Sequence, residues 1–227
     1  MKNLLLLLAF AYTSPLLSQE NTESPRADEP SQKFSLEILG GLNLNNMPRH
    51  PDLATEVGSF NSQIKPEPAF FAGLSGHQPI AKRLAVKMDV QFAVRGFGLQ
   101  KNAKTFTSFD RYQASYLDFV PQLEYKVYKK IYFSLGGYAG LLLEERIKLG
   151  NQNWSGIEPI FGTLAEKQDW GLSSGLRVEF GRVAALVKYQ HGLSPAIKLE
   201  VTDDRGASFN HHQMHRSLQV GLGFKVI

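Results

Sequence analysis

The feature that most constrains this chain is a period-2 alternation of apolar and polar residues, repeated in eight segments of about ten residues each. Successive side chains of a strand point to opposite faces, so each segment reads as a strand with one apolar and one polar face. The segments run Lys33–Leu44, Ala69–His77, Leu84–Leu99, Tyr112–Val127, Ile131–Glu144, Asp169–Phe180, Val183–His191 and Ser217–Val226. The third is the clearest: Leu84, Val86, Met88, Val90, Phe92 and Val94 alternate with Lys87, Asp89, Gln91 and Arg95. The second has an ambiguous phase, because Phe70, Ala72 and Leu74 share a face while Phe71 sits opposite. Pro121 cannot donate to a ladder, so a bulge or local break is expected there.

The links between segments alternate in length. Long ones span about 45–68, 100–111, 145–168 and 192–216; short ones lie at 79–83, 128–130 and 181–182. Strands of this length can cross a bilayer at a tilt, and short turns on one side with long loops on the other are the asymmetry of an outer-membrane barrel. The expected fold is therefore all-β: a closed antiparallel transmembrane β-barrel of eight strands, with four long external loops and three short periplasmic turns. In hydrocarbon every backbone N–H and C=O must be paired within the protein, which a closed barrel achieves. A soluble lipocalin-like barrel also alternates, with its apolar face inward around a ligand, and is the competing fold.

The average composition hides this pattern. Hydrophobic residues make up 43% of the 227, as in many soluble domains, but two opposite faces are being summed. The chain lacks cysteine, which excludes disulfides and thiolate metal sites. Its 25 basic and 21 acidic residues are well mixed, which argues against nucleic acid as a partner. After the first residues no stretch reaches eighteen apolar positions, so no helical span is expected.

Residues 1–18 have the layout of a signal peptide: Lys2, an apolar run from Leu4 to Ala11, and small Ser18 at the expected cut, with Gln19 as the alternative. Residues 19–32 are Pro-, Glu-, Ser- and Asn-rich and read as a disordered periplasmic leader. Residues 33–227 form the barrel domain.

Placing the strands assigns the side chains. Lys87, Asp89, Arg95, Asp118, Glu124, Lys126, Arg177, Glu179 and Lys188 are expected inside, as a mixed-charge network filling a narrow lumen. Val86, Val90, Phe92, Leu135, Leu176, Val187, Val220 and Leu222 are expected to face lipid. Gly136, Gly140, Gly221 and Gly223 suit a crowded wall. Tyr112, Tyr116, Tyr125, Tyr128, Tyr132, Trp170 and Tyr189 lie near strand ends and are candidates for interfacial girdles.

Chemistry is sparse. No phosphate loop, zinc-helix motif or nucleotide fingerprint occurs, so no cofactor is expected. His211, His212 and His215 read as part of a solvated polar loop in preference to a metal site. His191 and Ser194 are the candidates for a barrel-embedded lipid enzyme, but no third partner is fixed by the sequence. The expected role is non-enzymatic: a monomer in outer-membrane lipid, structural or binding a protein partner at its external loops or periplasmic side.

Three stretches are similar to a known family: YLDFVPQLEYKVYKKIYFSLGGYAGLLL (116–143), WGLSSGLRVEFGRVAALVKYQHGL (170–193) and LQVGLGFKVI (218–227). They resemble the PorT-like outer-membrane β-barrel proteins of Bacteroidetes-type bacteria over residues 33–227. The chain ends in Ile227 where many barrels end in an aromatic, leaving Phe224 as the nearest one. The resemblance implies an outer-membrane barrel, and its namesake's association with protein secretion implies a link to that process.

Overall fold

In the computed structural model, residues 33–46, 61–102, 107–156, 165–202 and 208–227 are described. The signal peptide and leader read from the sequence (1–18 and 19–32) lie outside these residues. The described residues hold nine strands and no helix: β1 Ser35–Asn46, β2 Asn61–Ala81, β3 Leu84–Asn102, β4 Thr107–Tyr128, β5 Ile131–Lys148, β6 Ser155–Gly156, β7 Gln168–Phe180, β8 Val183–Thr202 and β9 Ser208–Lys225.

Each long strand pairs antiparallel with its neighbour in the chain, and β1 pairs with β9, so eight strands close into a ring; β6 only extends the edge of β5. The closing seam is long, running from Glu37↔Lys225 to Asn46↔Arg216. Closure leaves no open sheet edge along the body of the barrel, as a membrane span of strands requires.

The outer face is apolar. Ile38, Leu42, Leu74, Val90, Leu123, Leu135, Leu172, Leu176, Val187, Val220 and Leu222 all project from the sheet and are exposed. The inner face carries the polar residues of the same strands, which are buried. That arrangement inverts a soluble barrel, whose apolar face would be the inner one.

The three short turns lie at Lys82-Arg83, Lys129-Lys130 and Gly181-Arg182. Lys129 (φ 36°) and Gly181 (φ 74°) take the left-handed conformation that such tight turns need.

At the opposite end the strands run further than the apolar pattern suggests. β2, β4 and β8 have 21, 22 and 20 residues, about twice the ~9–11 needed to cross hydrocarbon. Much of each expected long loop is strand: β3 and β4 pair out to Asn102↔Thr107, and β8 and β9 to Thr202↔Ser208. Pro121 interrupts the β4–β5 ladder, which resumes at Gln122↔Gly136 in the register of Phe119↔Ala139. The expected break is there, without a bulge. The true register shifts in β4–β5 fall at Ser115/Tyr116 and Lys126/Tyr128.

Candidate functional site

Among the described residues, the barrel interior is where the fold gathers polar side chains from every long strand. It is built in layers.

The layer nearest the short turns centres on Arg177 of β7. Its Nε and Nη2 donate to the two oxygens of Glu124 on β4, each at 3.1 Å, and Nη1 donates to Glu37 of β1 at 2.8 Å. Nη1 also pairs with Glu179 at 2.9 Å. The Tyr132 ring lies 4.5 Å from the guanidinium carbon, and its hydroxyl donates to Glu179. His77 of β2 sits between Glu37 and Glu124, with N···O distances of 3.4 and 3.3 Å.

The middle layer centres on Asp89 of β3. Lys188 Nζ reaches it at 2.6 Å, Lys87 Nζ at 3.2 Å, and Ser75 Oγ donates at 2.6 Å. Gln91 continues the network by accepting from Lys188 and donating to Asp118 and Gln219. An apolar cluster of Leu39, Phe71, Ala93 and Leu186 is set among these polar groups. Gly41 and Gly221 leave the space for the Phe71 ring: a Cβ on either would press on that ring and on neighbouring backbone.

The layer towards the long links centres on Arg95 of β3. Nη2 donates to both oxygens of Asp118 at 2.7 Å, and Nη1 to Asp169 of β7 at 2.8 Å. Tyr116 and Tyr138 stack on the guanidinium at 4.4 and 5.3 Å. Asp169 also receives Ser194 Oγ, Tyr138 OH and His215 Nδ1. Beyond it, Tyr112 OH donates to Glu145, packed with Tyr116 and Ala165 in a second small cluster.

These groups are dry: Asp89, Gln91, Asp118, Asp169, Gln190 and Gln219 are all less than 2% exposed. Arg95 and Arg177 are each held by carboxylates from two other strands, and Lys87 and Lys188 share Asp89, which offsets the cost of removing them from water. The network thus staples strands that are far apart in sequence across the lumen.

With this geometry in place the comparison with known proteins has a clear outcome. Residues 18–198 match the family described as outer membrane protein beta-barrel domain. The chain belongs to that family. It is an outer-membrane β-barrel protein, located in the bacterial outer membrane, with the short turns on the periplasmic side. No curated protein matches it. Among solved structures, the crystal structure of Ail, the attachment invasion locus protein of Yersinia pestis, is 12% identical, covers 85% of this chain and 97% of its own, and has a TM-score of 0.40. AlkL, solved by solid-state NMR in DMPC lipid bilayers, is 11% identical, covers 91% of this chain and 96% of its own, and has a TM-score of 0.38.

Within this family member, the structure places Lys87, Asp89, Arg95, Asp118, Glu124, Arg177 and Lys188 inside and buried. Asp118 and Glu124 serve different arginines. Glu179 is half-buried at the periplasmic rim, and Lys126 lies beside it with its ammonium 5.9 Å from the Tyr132 ring. Val86, Val90, Leu135, Leu176, Val187, Val220 and Leu222 are exposed on the outer face, and Phe92 stacks there on Phe70 at 5.8 Å.

Several expectations need correction. Val94 is buried beside the β2–β3 register break at Pro66/Phe71, and its carbonyl accepts from Asn43. Of the girdle aromatics, Tyr125, Tyr128, Trp170 and Tyr189 are exposed, whereas Tyr112 and Tyr116 are buried in the lumen and Tyr132 bonds to interior Glu179. They share parity with Asp118 and Ser134, so alternation sends them inward. Phe71 settles the phase of β2 by pointing inward, so the interior is not wholly polar.

His215 is a buried lumen residue on β9, not a loop residue; the side chains of His211 and His212 lie outside the described residues. Glu37, His77, Asp169 and Ser194 belong to the network too. Their parity with Leu39, Ser75, Ser173 and Gln190 was the available signal. His191 and Ser194 do not meet. Ser194 points into the lumen, while His191 lies against Tyr189 of the outer face. Ser194 and His215 each contact Asp169, so the carboxylate is central. A nucleophile-activating triad needs the imidazole in that position.

Proposed function

We propose that this protein does no chemistry and conducts no solute through its lumen, and that it acts as a monomeric scaffold whose long-link end engages a protein partner. The observation that carries this reading is the charged interior: two arginine layers and a lysine layer, their cations all buried, lie across the space a channel would need. Strands far longer than a bilayer needs support the second half, since they carry the sheet beyond the apolar belt on one side only. Resemblance to PorT-like barrels favours a partner in protein secretion. The arrangement of Ser194, Asp169 and His215 does not favour a lipid enzyme.

Planar-bilayer recordings on the purified barrel should give no steps above baseline; stable open-channel conductance would refute the non-conducting reading. In cells lacking the chain, lipid A and phospholipid profiles should be unchanged while export of secreted proteins falls. Ser194→Ala should restore export, and a chain with β8 and β9 cut back to Ile197 and Gln213 should not. Restoration by the shortened chain would remove the partner role from this end.

A further inference from the structure

The periplasmic rim carries an ordered ring of exposed cations that the proposed role does not use. Every short turn ends in basic residues: Lys82 and Arg83, Lys129 and Lys130, and Arg182. The fourth point of the rim, where β1 meets β9, adds Lys33 and Lys225. All are exposed. The described Asp and Glu side chains near this end are Glu37 and Glu124, which are buried, and Glu179, which is held by Arg177 and Tyr132. Among the described residues, the exposed charged side chains at all four points of the rim are therefore basic.

The ring is held in place by its backbone. The second residue of each turn accepts from an N–H of the next strand: Lys126 N donates to Arg83 O at 2.8 Å, Glu179 N to Lys130 O at 2.9 Å, and Lys225 N to Arg182 O at 2.8 Å. Val226 N closes the fourth point by donating to Leu36 O at 2.8 Å. The three turns repeat one device, with a basic residue at the accepting position each time.

Immediately above the cations lies the lipid-facing surface. Phe34, Ile80, Tyr128, Phe180, Val183 and Ile227 are exposed next to them in the chain. Lys129 Nζ sits 5.2 Å from the Tyr128 ring. An apolar stem in hydrocarbon with a cation one or two residues beyond it puts that cation at the depth of lipid phosphates. At the opposite end the described charges include acid–base pairs, exposed in Arg146–Glu144 and with a buried carboxylate in Arg111–Glu67.

We infer that this ring binds the phosphates of anionic phospholipid in the periplasmic leaflet, anchoring the barrel at a fixed depth. A ring continuous with the lipid-facing belt suits a headgroup annulus, whereas a soluble partner would meet a patch on one side.

The test uses the full barrel reconstituted in vesicles of phosphatidylcholine, with or without phosphatidylglycerol. The readout is the temperature at which the folded band in SDS gels converts to the unfolded one. Phosphatidylglycerol should raise that temperature for the wild type. The increment should vanish at high salt, and inorganic phosphate added to phosphatidylcholine vesicles should not reproduce it. A variant carrying Lys82→Gln, Arg83→Gln, Lys129→Gln, Lys130→Gln and Arg182→Gln should lose the increment. If that variant does not fold, Lys82→Gln with Arg83→Gln alone should lose part of it.

Equal increments in wild type and variant would overturn the assignment, as would an increment reproduced by free phosphate. So would binding to purified cell-wall sacculi that depends on these residues while lipid dependence does not.

Discussion

The Arg95 and Arg177 layers are the same device built twice, with one difference. In both, a guanidinium is held by carboxylates from different strands and stacked on tyrosine. Around Arg95 both carboxylates, Asp118 and Asp169, have 0% exposed side chains. Around Arg177 the third carboxylate, Glu179, is 28% exposed at the rim, and His77 already contacts Glu37 and Glu124. Removing either arginine strands buried charge, but only the Arg177 layer reaches the rim through Glu179, and its histidine, His77, touches two of the carboxylates where His215 touches only Asp169. Depth in the lumen, more than the number of ion pairs, should set what each arginine contributes.

Arg95→Met is therefore the most damaging single change expected in the interior. Breaking a buried ion pair from one side typically costs about 3–5 kcal/mol. The cost here should reach that range, because Asp118 and Asp169 would both lose their guanidinium partner in a dry lumen. Arg177→Met should cost distinctly less. Urea unfolding of both variants in lipid vesicles, followed by gel mobility, measures the difference. Equal losses would mean that rim hydration and His77 relieve nothing, and the contrast between the layers would collapse.

Between the arginines, Phe71 offers a sharper version of the same contrast, set against Phe70 on the outer face. Phe71 is 1% exposed and fits over Gly41 and Gly221, where no side chain can move in to fill a void. Phe71→Ala should cost about 3 kcal/mol, at the low end of the range for buried Phe→Ala changes. Phe70 faces outward and stacks on Phe92. Lipid chains can close over the gap left by Phe70→Ala, so its cost should be less than half as large. The same unfolding assay compares them, and a larger loss for Phe70→Ala would contradict the inside–outside assignment of β2.

This pair also shows where the sequence was legible and where it was not. The outer face follows from parity because lipid demands apolar residues at every second position. The inner face has no such uniform rule. It takes Arg95, Phe71, Tyr116 or Gly221, whichever fills the local space, so composition cannot separate a lumen tyrosine from a girdle tyrosine. Parity can, and Tyr112 and Tyr116 match Asp118 in it. Strand ends beyond the belt were illegible for a related reason. Past the lipid both faces are polar, as in Gln100-Lys101-Asn102 and Thr107-Ser108, so alternation fades while the ladder continues. His215 fell into the supposed loop through that loss. Its contact with Asp169 joins β9 to β7 across β8, a long-range fact that no local pattern carries.

The smallest effect is expected where an ion pair lies outside the lumen altogether. Arg146 Nη2 and Glu144 are 2.6 Å apart on β5, a shorter contact than most in the lumen, yet both side chains are about half exposed. Water screens such a pair and side-chain entropy offsets most of its attraction. Arg146→Ala should leave urea unfolding in vesicles unchanged within error, at low and at high salt alike. A measurable loss at low salt would show that the strand extension is held by its surface charges. Its stability would then rest on a different footing from the lumen, where distance matters less than the absence of water.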